Sequence, residues 1–203
     1  MNRKFFSLSC AILCSLIWGT AFVAQDMGMD FIGPYTFTSG RMFLGFLALL
    51  PFFFIFEFKK TLKSNLNIKT ILFYLLLLGF FLAGGNIFQQ ISLIYTDVAN
   101  SAVFTVLYVI IVPVIAYFLF SKKIHQSVWP AAIMCLAGGL LLSELDNLDV
   151  RFGDSLVIIG AFFWAFHIVF ISKFLKIFNF PITIATFQCF FGAIICLLPA
   201  SAL

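Results

Sequence analysis

The sequence predicts an all-α integral membrane protein, a multi-span helical bundle, on three observations. Hydrophobic residues make up 63% of the 203-residue chain, charged residues only 10%, and the mean hydropathy is +1.14. Apolar stretches of about 20 residues, the helix length that crosses ~30 Å of hydrocarbon, recur along the chain. Apart from Arg41, the 12 Lys and Arg residues lie outside those stretches, mostly in short clusters. A soluble domain keeps about a quarter of its residues charged, so soluble enzymes, nucleic-acid binders and disordered chains are all disfavoured. The formal charge of +4 then reports membrane orientation and calls for no nucleic-acid partner.

Seven spans are expected in order. The first, Phe5 to Ala24, follows Arg3 and Lys4 and ends in small residues, as a cleavable signal peptide would. Its apolar run is long enough to span, and the orientation pattern requires it to stay. The second, Pro34 to Phe56, contains Arg41, and the third, Thr70 to Tyr95, follows Lys59, Lys60, Lys63 and Lys69. The fourth, Val98 to Phe120, contains Pro113, which lacks a backbone donor and crowds the carbonyl of Val109, so a kink is expected there. The remaining three run from Val128 to Ser143, Ser155 to Ser172 and Pro181 to Leu203.

With the amino terminus in the cytoplasm, Arg3, Lys4, Lys59, Lys60, Lys63, Lys69, Lys122, Lys123, Lys173 and Lys176 face inward, 10 of the 12 bases. Asp26, Asp30, Asp97, Glu144, Asp146, Asp149 and Asp154 collect outside with Arg151, and Glu57 is the single inner acid. This is the positive-inside pattern. It disfavours receptor-type and retinal-type seven-helix bundles, whose amino terminus is external, and the seventh span carries no Lys for a Schiff base. Cys10, Cys14, Cys135, Cys189 and Cys196 are an odd set within apolar stretches, so disulfides are not expected. Cys10 and Cys14 share a helix face but have no His or carboxylate nearby, which makes packing the better reading than a metal site.

Sliding the chain by 146 to 147 residues sets spans one and two against spans six and seven. "SLIWGTAFV" meets "AFFWAFHIV", aligning Trp18 with Trp164. "PYTFTSGRMFLGFLALL" meets "PITIATFQCFFGAIICL", with identities at Pro34/Pro181, Thr36/Thr183, Phe43/Phe190, Gly45/Gly192 and Leu50/Leu197. A repeat of five helices inverts its second copy, an arrangement characteristic of secondary transporters. The expected organisation is inverted five-helix repeats, the first over residues 1–145 and a truncated second over residues 146–203. Two full repeats at this offset need about 290 residues, so roughly three helices of the second copy are missing.

The residues at this point resemble the EamA-type members of the drug/metabolite transporter superfamily. The resemblance rests on Trp18 and Gly19, Arg41 in "GRMFLGFLALLP", "YTDVANSAV" between spans three and four, Pro113 in "VIIVPVIAYFL", Gly138 and Gly139 in "AGGLLL", and "GDSLVIIGAFFWAFHIVF". It covers essentially the whole chain and implies ten spans and export or exchange of small metabolites, such as amino acids, across the inner membrane. Family members often carry Glu just after span four; this chain has Ser121, Lys122 and Lys123, so no role for that acid carries over.

Polar groups within a span are costly unless they face a cavity or one another. Helix rise places Arg41 about 10 Å below the outer boundary, Asn86 and Gln89 about 13 and 9 Å, and Thr105 and Tyr108 about 10 to 15 Å, with Trp18 at a similar depth. Asn86, Gln89 and Gln90 share a face, as do Ser101, Thr105 and Tyr108. The expected substrate site is therefore Trp18, Arg41, Asn86, Gln89, Thr105 and Tyr108. Arg41 would attract an anionic group, the amides and hydroxyls would orient it, and Trp18 would stack on an apolar part. The competing reading has Arg41 snorkelling or holding a carbonyl while the amides join helices. Pro113 is a candidate hinge, and His167, near the midplane, a candidate for proton coupling. The small-residue rows Ala11/Ser15/Gly19 and Ala131/Cys135/Gly139/Ser143 read as helix-packing faces.

His125 falls in a loop and His167 within a span with no acid to partner either, so an enzyme is disfavoured. Without a phosphate-binding glycine loop, transport is expected to be secondary and cofactor-free. The partners expected are the lipid bilayer, a small metabolite and a proton or counter-substrate, with a homo-oligomer compatible. The alternative is an inactive or assembly-dependent partial transporter.

Overall fold

Helix is the regular structure of every described element. The computed structural model describes residues 3–64, 66–121, 124, 126–142 and 151–200. Expectations placed on Lys122, Lys123, His125, Ser143, Glu144, Asp146, Asp149 and Leu203 lie outside the described residues. In order the elements are α1 (Arg3–Met29), α2 (Pro34–Phe52), a π-helical turn (Phe53–Glu57), α3 (Phe58–Leu62), α4 (Ile68–Ser92), α5 (Val98–Thr105), α6 (Tyr108–Phe120), α7 (Val128–Leu142), α8 (Phe152–Ile177) and α9 (Pro181–Ala200).

Six stretches among the described residues are long and apolar enough to cross a membrane: Phe5–Met29, Pro34–Leu62, Ile68–Ser92, Val98–Phe120, Phe152–Ile177 and Pro181–Pro199. The protein is a multi-span helical membrane protein. Phe5, Leu8, Ile12, Leu13, Leu16 and Ile17 of α1 are largely exposed, which suits a lipid neighbour and would be untenable in water. The expected fifth span corresponds to α7, whose 15 described residues rise only about 22 Å.

Two of the spans are locally irregular. In span four the irregularity falls at Val106 and Leu107, where the bonds tighten to Val106 N to Val103 O (3.1 Å) and Leu107 N to Phe104 O (3.2 Å). Pro113 lies within the continuous α6. The tightened bonding continues through Val109 N to Val106 O (2.9 Å) and Ile110 N to Leu107 O (3.0 Å), so it reaches the residue where the kink was anticipated. In span two the irregularity is the π-helical turn that follows Pro51, a residue without the N–H that would bond back along the helix. Ser121, with φ of 50°, ends α6 in the left-handed region.

Four helices form the packed centre. α4 runs antiparallel to α8 and approaches it closely: a Cβ on Gly160 would lie 3.3 Å from the Gly85 carbonyl oxygen. α4 meets α9 at Gly79, where a Cβ would stand 2.7 Å from Cβ of Phe191. α2 crosses α9, also antiparallel. A Cβ on Gly192 would be 2.7 Å from Met42 Sδ and one on Gly45 3.8 Å from Cys189 Sγ, while Ser39 Oγ donates to the Ala193 carbonyl at 2.9 Å. Without water to expel, helices in lipid associate through such close packing and interhelical bonds. Leu75, Leu78, Phe174, Phe178 and Ile184 fill one end, with Tyr74 stacked on Phe174 at 4.6 Å.

In the small-residue rows expected to pack, the residues whose burial is described are exposed. Ala11, Ser15 and Gly19 are exposed, and nothing lies within 4 Å of a Cβ placed on Gly19; Ala131 and Cys135 are exposed as well. Close approach is instead made by glycines of α4, α8 and α9. The five cysteines are free thiols.

Candidate functional site

Arg41 sits on the second turn of α2, with a half-buried side chain whose Nη2 donates to Asn86 Oδ1 on α4. The Asn86 amide in turn donates to the Leu82 carbonyl at 2.7 Å, which fixes its orientation. The guanidinium lies 5.8 Å from the centre of the Phe37 ring. Two of the expected site residues are therefore direct partners, and the arginine charge is held between an amide oxygen and a ring face.

Trp18 and Tyr108 stack with centroids 6.1 Å apart, joining α1 to the start of α6. Trp18 also meets Trp164 of α8 at 5.8 Å, and Trp164 meets His167 edge-on at 6.0 Å. His167 Nε2 pairs with Gln188 Oε1 of α9 at 3.0 Å. An aromatic path thus runs from α6 through α1 and α8 to α9. Trp164 lies over Gly85, where a Cβ would be 3.0 Å from its indole nitrogen, and this brings the aromatic path to the residue next to Asn86. The indole nitrogen is buried without a hydrogen-bond partner.

A cavity of about 370 Å³ opens beside this path, lined by Trp18, Phe22, Ala102, Thr105 and Tyr108 among others. Three expected residues, Trp18, Thr105 and Tyr108, share it. Arg41, Asn86 and Gln89 do not line it. Gln89 is buried and donates through Nε2 to Thr105 Oγ1 at 2.9 Å, and Thr105 donates to the Ser101 carbonyl at 2.7 Å. In this arrangement the Gln89 amide ties α4 to α5. Its neighbour Gln90 donates to the backbone of Gln25 at 3.1 Å, tying α4 to α1, while Oε1 of both glutamines stays unpartnered. Pro113 lines neither the cavity nor the aromatic path.

Sequence reasoning passed over several polar groups. The repeat match sets Trp164 opposite Trp18 and Gln188 opposite Arg41, but neither is among the expected site residues. Asp154 accepts from Thr96 Oγ1 at 2.6 Å and from its own helix start at Arg151 N at 2.9 Å, and Arg151 pairs with Asp97. Glu57, noted only as the single inner acid, is buried against α9. Nothing in the sequence pattern signals either long-range partnership.

Residues 5–144 match the EamA-like transporter family, more than half of the chain. The chain belongs to that family. Among the curated relatives of this EamA-like chain, an uncharacterized transporter of Archaeoglobus fulgidus is 26% identical over 190 residues, covering 94% of this chain and 56% of the relative. The uncharacterized transporter YoaV of Bacillus subtilis is 27% identical over 163 residues, 78% of this chain and 54% of the relative. The EamA-like chain thus spans about half the length of the curated relatives it matches. The archaeal alignment is long enough to include Trp164, His167 and Gln188, which lie beyond the family match. No solved structure matches the chain.

Proposed function

We propose that this EamA-like protein, in a unit of the length of its relatives, moves small organic metabolites such as amino acids across the inner membrane by secondary alternating access, outward and without ATP. The observation that carries this reading is a pair of exchanged contacts between α2 and α9. Met42 meets Gly192, and Gly45 meets Cys189; at the repeat offset Met42 corresponds to Cys189 and Gly45 to Gly192, so each contact is the other with its partners swapped. Swapped contacts between antiparallel helices are what a two-fold axis in the membrane plane produces, and the meeting of Trp18 with its counterpart Trp164 fits the same axis. Two related bundles around such an axis exchange inward-open and outward-open states by rocking. The domain division at residue 145 and the cytoplasmic amino terminus belong to this reading.

Trp18, Tyr108 and Thr105 form the apolar and stacking side of the substrate site in this proposal, and Arg41 with Asn86 the charged side. A carboxylate or zwitterion suits Arg41 better than a cation, because a second positive charge in low dielectric is repelled strongly. His167, bonded to Gln188, is the group placed to couple a proton, and exchange against a counter-substrate is the other driving force. Replacing Arg41 with Gln in proteoliposomes should lower carboxylate uptake at least tenfold while insertion is kept. Undiminished uptake across a panel of amino acids and organic acids would sink the assignment.

A second reading is an inactive or assembly-dependent partial transporter. Transport by the 203-residue chain reconstituted alone, as a monomer, would eliminate it.

A further inference from the structure

Glu57 closes the π-helical turn after α2 and is only 7% exposed. Its Oε2 accepts from the Thr183 backbone at 2.7 Å and from Thr183 Oγ1 at 2.8 Å, and its Oε1 accepts from Ile182 N at 3.2 Å. Thr183 Oγ1 also lies 3.0 Å from Thr61 Oγ1 of α3. The carboxylate therefore grips the first amides of α9, where a helix presents unpaired N–H groups and the positive end of its dipole. Among the described residues it has no Lys, Arg or His partner, so these donors are what holds the charge.

The place of this joint on the helices gives it leverage. α2 and α9 cross at Met42, Gly45, Cys189 and Gly192, and Glu57 follows Gly45 by twelve residues, about 18 Å of helix. A rotation of about 10° around the crossing separates the ends by roughly 3 Å, enough to break every bond to the carboxylate. The crossing is close packing that resists separation, whereas the joint is a set of hydrogen bonds that can be made and broken. Phe53 seals the space behind it, edge-on to Phe187 at 5.2 Å and to Phe58 at 5.7 Å.

We propose that Glu57 is the latch of a gate at the Lys59 and Lys60 end of the bundle: its bonds to Ile182 and Thr183 hold that end closed, and their release lets α2 and α9 swing apart about their crossing. The inference rests on the alternating-access reading above. In that scheme Glu57 is a positioning residue, setting which face is open without touching substrate.

The test uses the full chain in nanodiscs, cysteine-less apart from spin labels at the exposed positions Leu62 and Asn179, with Glu57→Gln and Thr183→Val compared with the parent. The parent should give one dominant short distance. Glu57→Gln should raise the population of a longer distance roughly tenfold, the effect of weakening bonds to a charge, and Thr183→Val should do so to a lesser degree. Superimposable distance distributions in all three proteins would overturn the latch. So would failure of both variants to insert, which would make the carboxylate a folding requirement. The distances need no substrate, so shifted distances alongside an absence of any solute transport would support the latch and count against the transport reading alone.

Discussion

Trp18 of α1 and Trp164 of α8, set opposite one another by the sequence match, meet with ring centroids 5.8 Å apart and planes tilted by 56°. In the inverted-repeat reading proposed above, a residue touches its own counterpart only close to the axis relating the two copies. The contact also positions the two rings between Tyr108 on one side and His167 on the other. Stacking platforms of this kind hold planar or apolar ligand groups at little entropic cost.

The indole nitrogen of Trp164 donates to nothing. Trp164→Phe should therefore cost only lost packing, about 1 to 2 kcal/mol of unfolding stability, because no internal hydrogen bond is lost with it. Substrate affinity should fall if that N–H serves the site. Thermal unfolding in detergent and a binding isotherm separate the two; a large stability loss with affinity intact would make Trp164 a packing residue.

Arg41 and Asn86 should be energetically coupled. A double-mutant cycle with Arg41→Gln and Asn86→Ala is expected to return about 1.5 to 3 kcal/mol, the range for a hydrogen bond to a charged group. Strictly additive effects on unfolding would mean that the two side chains act independently.

Close helix approach predicts an asymmetric response of glycines. Gly79→Ala would push a methyl to 2.7 Å from Phe191 Cβ and 3.1 Å from the Gly192 nitrogen, costing about 1 to 3 kcal/mol as overpacking. Gly19→Ala and Gly138→Ala meet open space and should be neutral or stabilising by up to about 1 kcal/mol through helix propensity. Equal behaviour of the three in thermal unfolding would contradict the packing described.

Thiol labelling in a cysteine-less background should divide the site. Cysteines at Trp18 and Tyr108, which line the cavity, should react with a small polar reagent, and a cysteine at Gln89, which is buried between α4 and α5, should not. Reaction at Gln89 comparable to that at Tyr108 would place the amide in the cavity after all.

Membrane orientation is open to reporter fusions. The distribution of bases predicts a cytoplasmic signal for a fusion after Lys63 and an external one after Asp149. The reverse pattern would remove the inverted topology and the rocking scheme with it.

The sequence by itself determined the class of protein and where its helices lie. Backbone groups in hydrocarbon must bond within their own segment, so apolar runs of spanning length can only be helices, and the helices start close to the expected residues, as at Pro34, Val98, Val128 and Pro181. The repeat match named Trp164 and Gln188 as counterparts before any contact was visible. Hydropathy could not tell a lipid-facing surface from a packed one, because both are apolar; the row Ala11, Ser15 and Gly19 therefore read like an interface and is exposed. Only the tertiary structure decided which polar groups meet. Gln89 finds Thr105 across a turn, Arg41 finds Asn86, and Glu57 finds the start of α9 across 126 residues. A buried polar group in a membrane protein must be satisfied, but by which partner depends on how helices distant in the chain are set side by side.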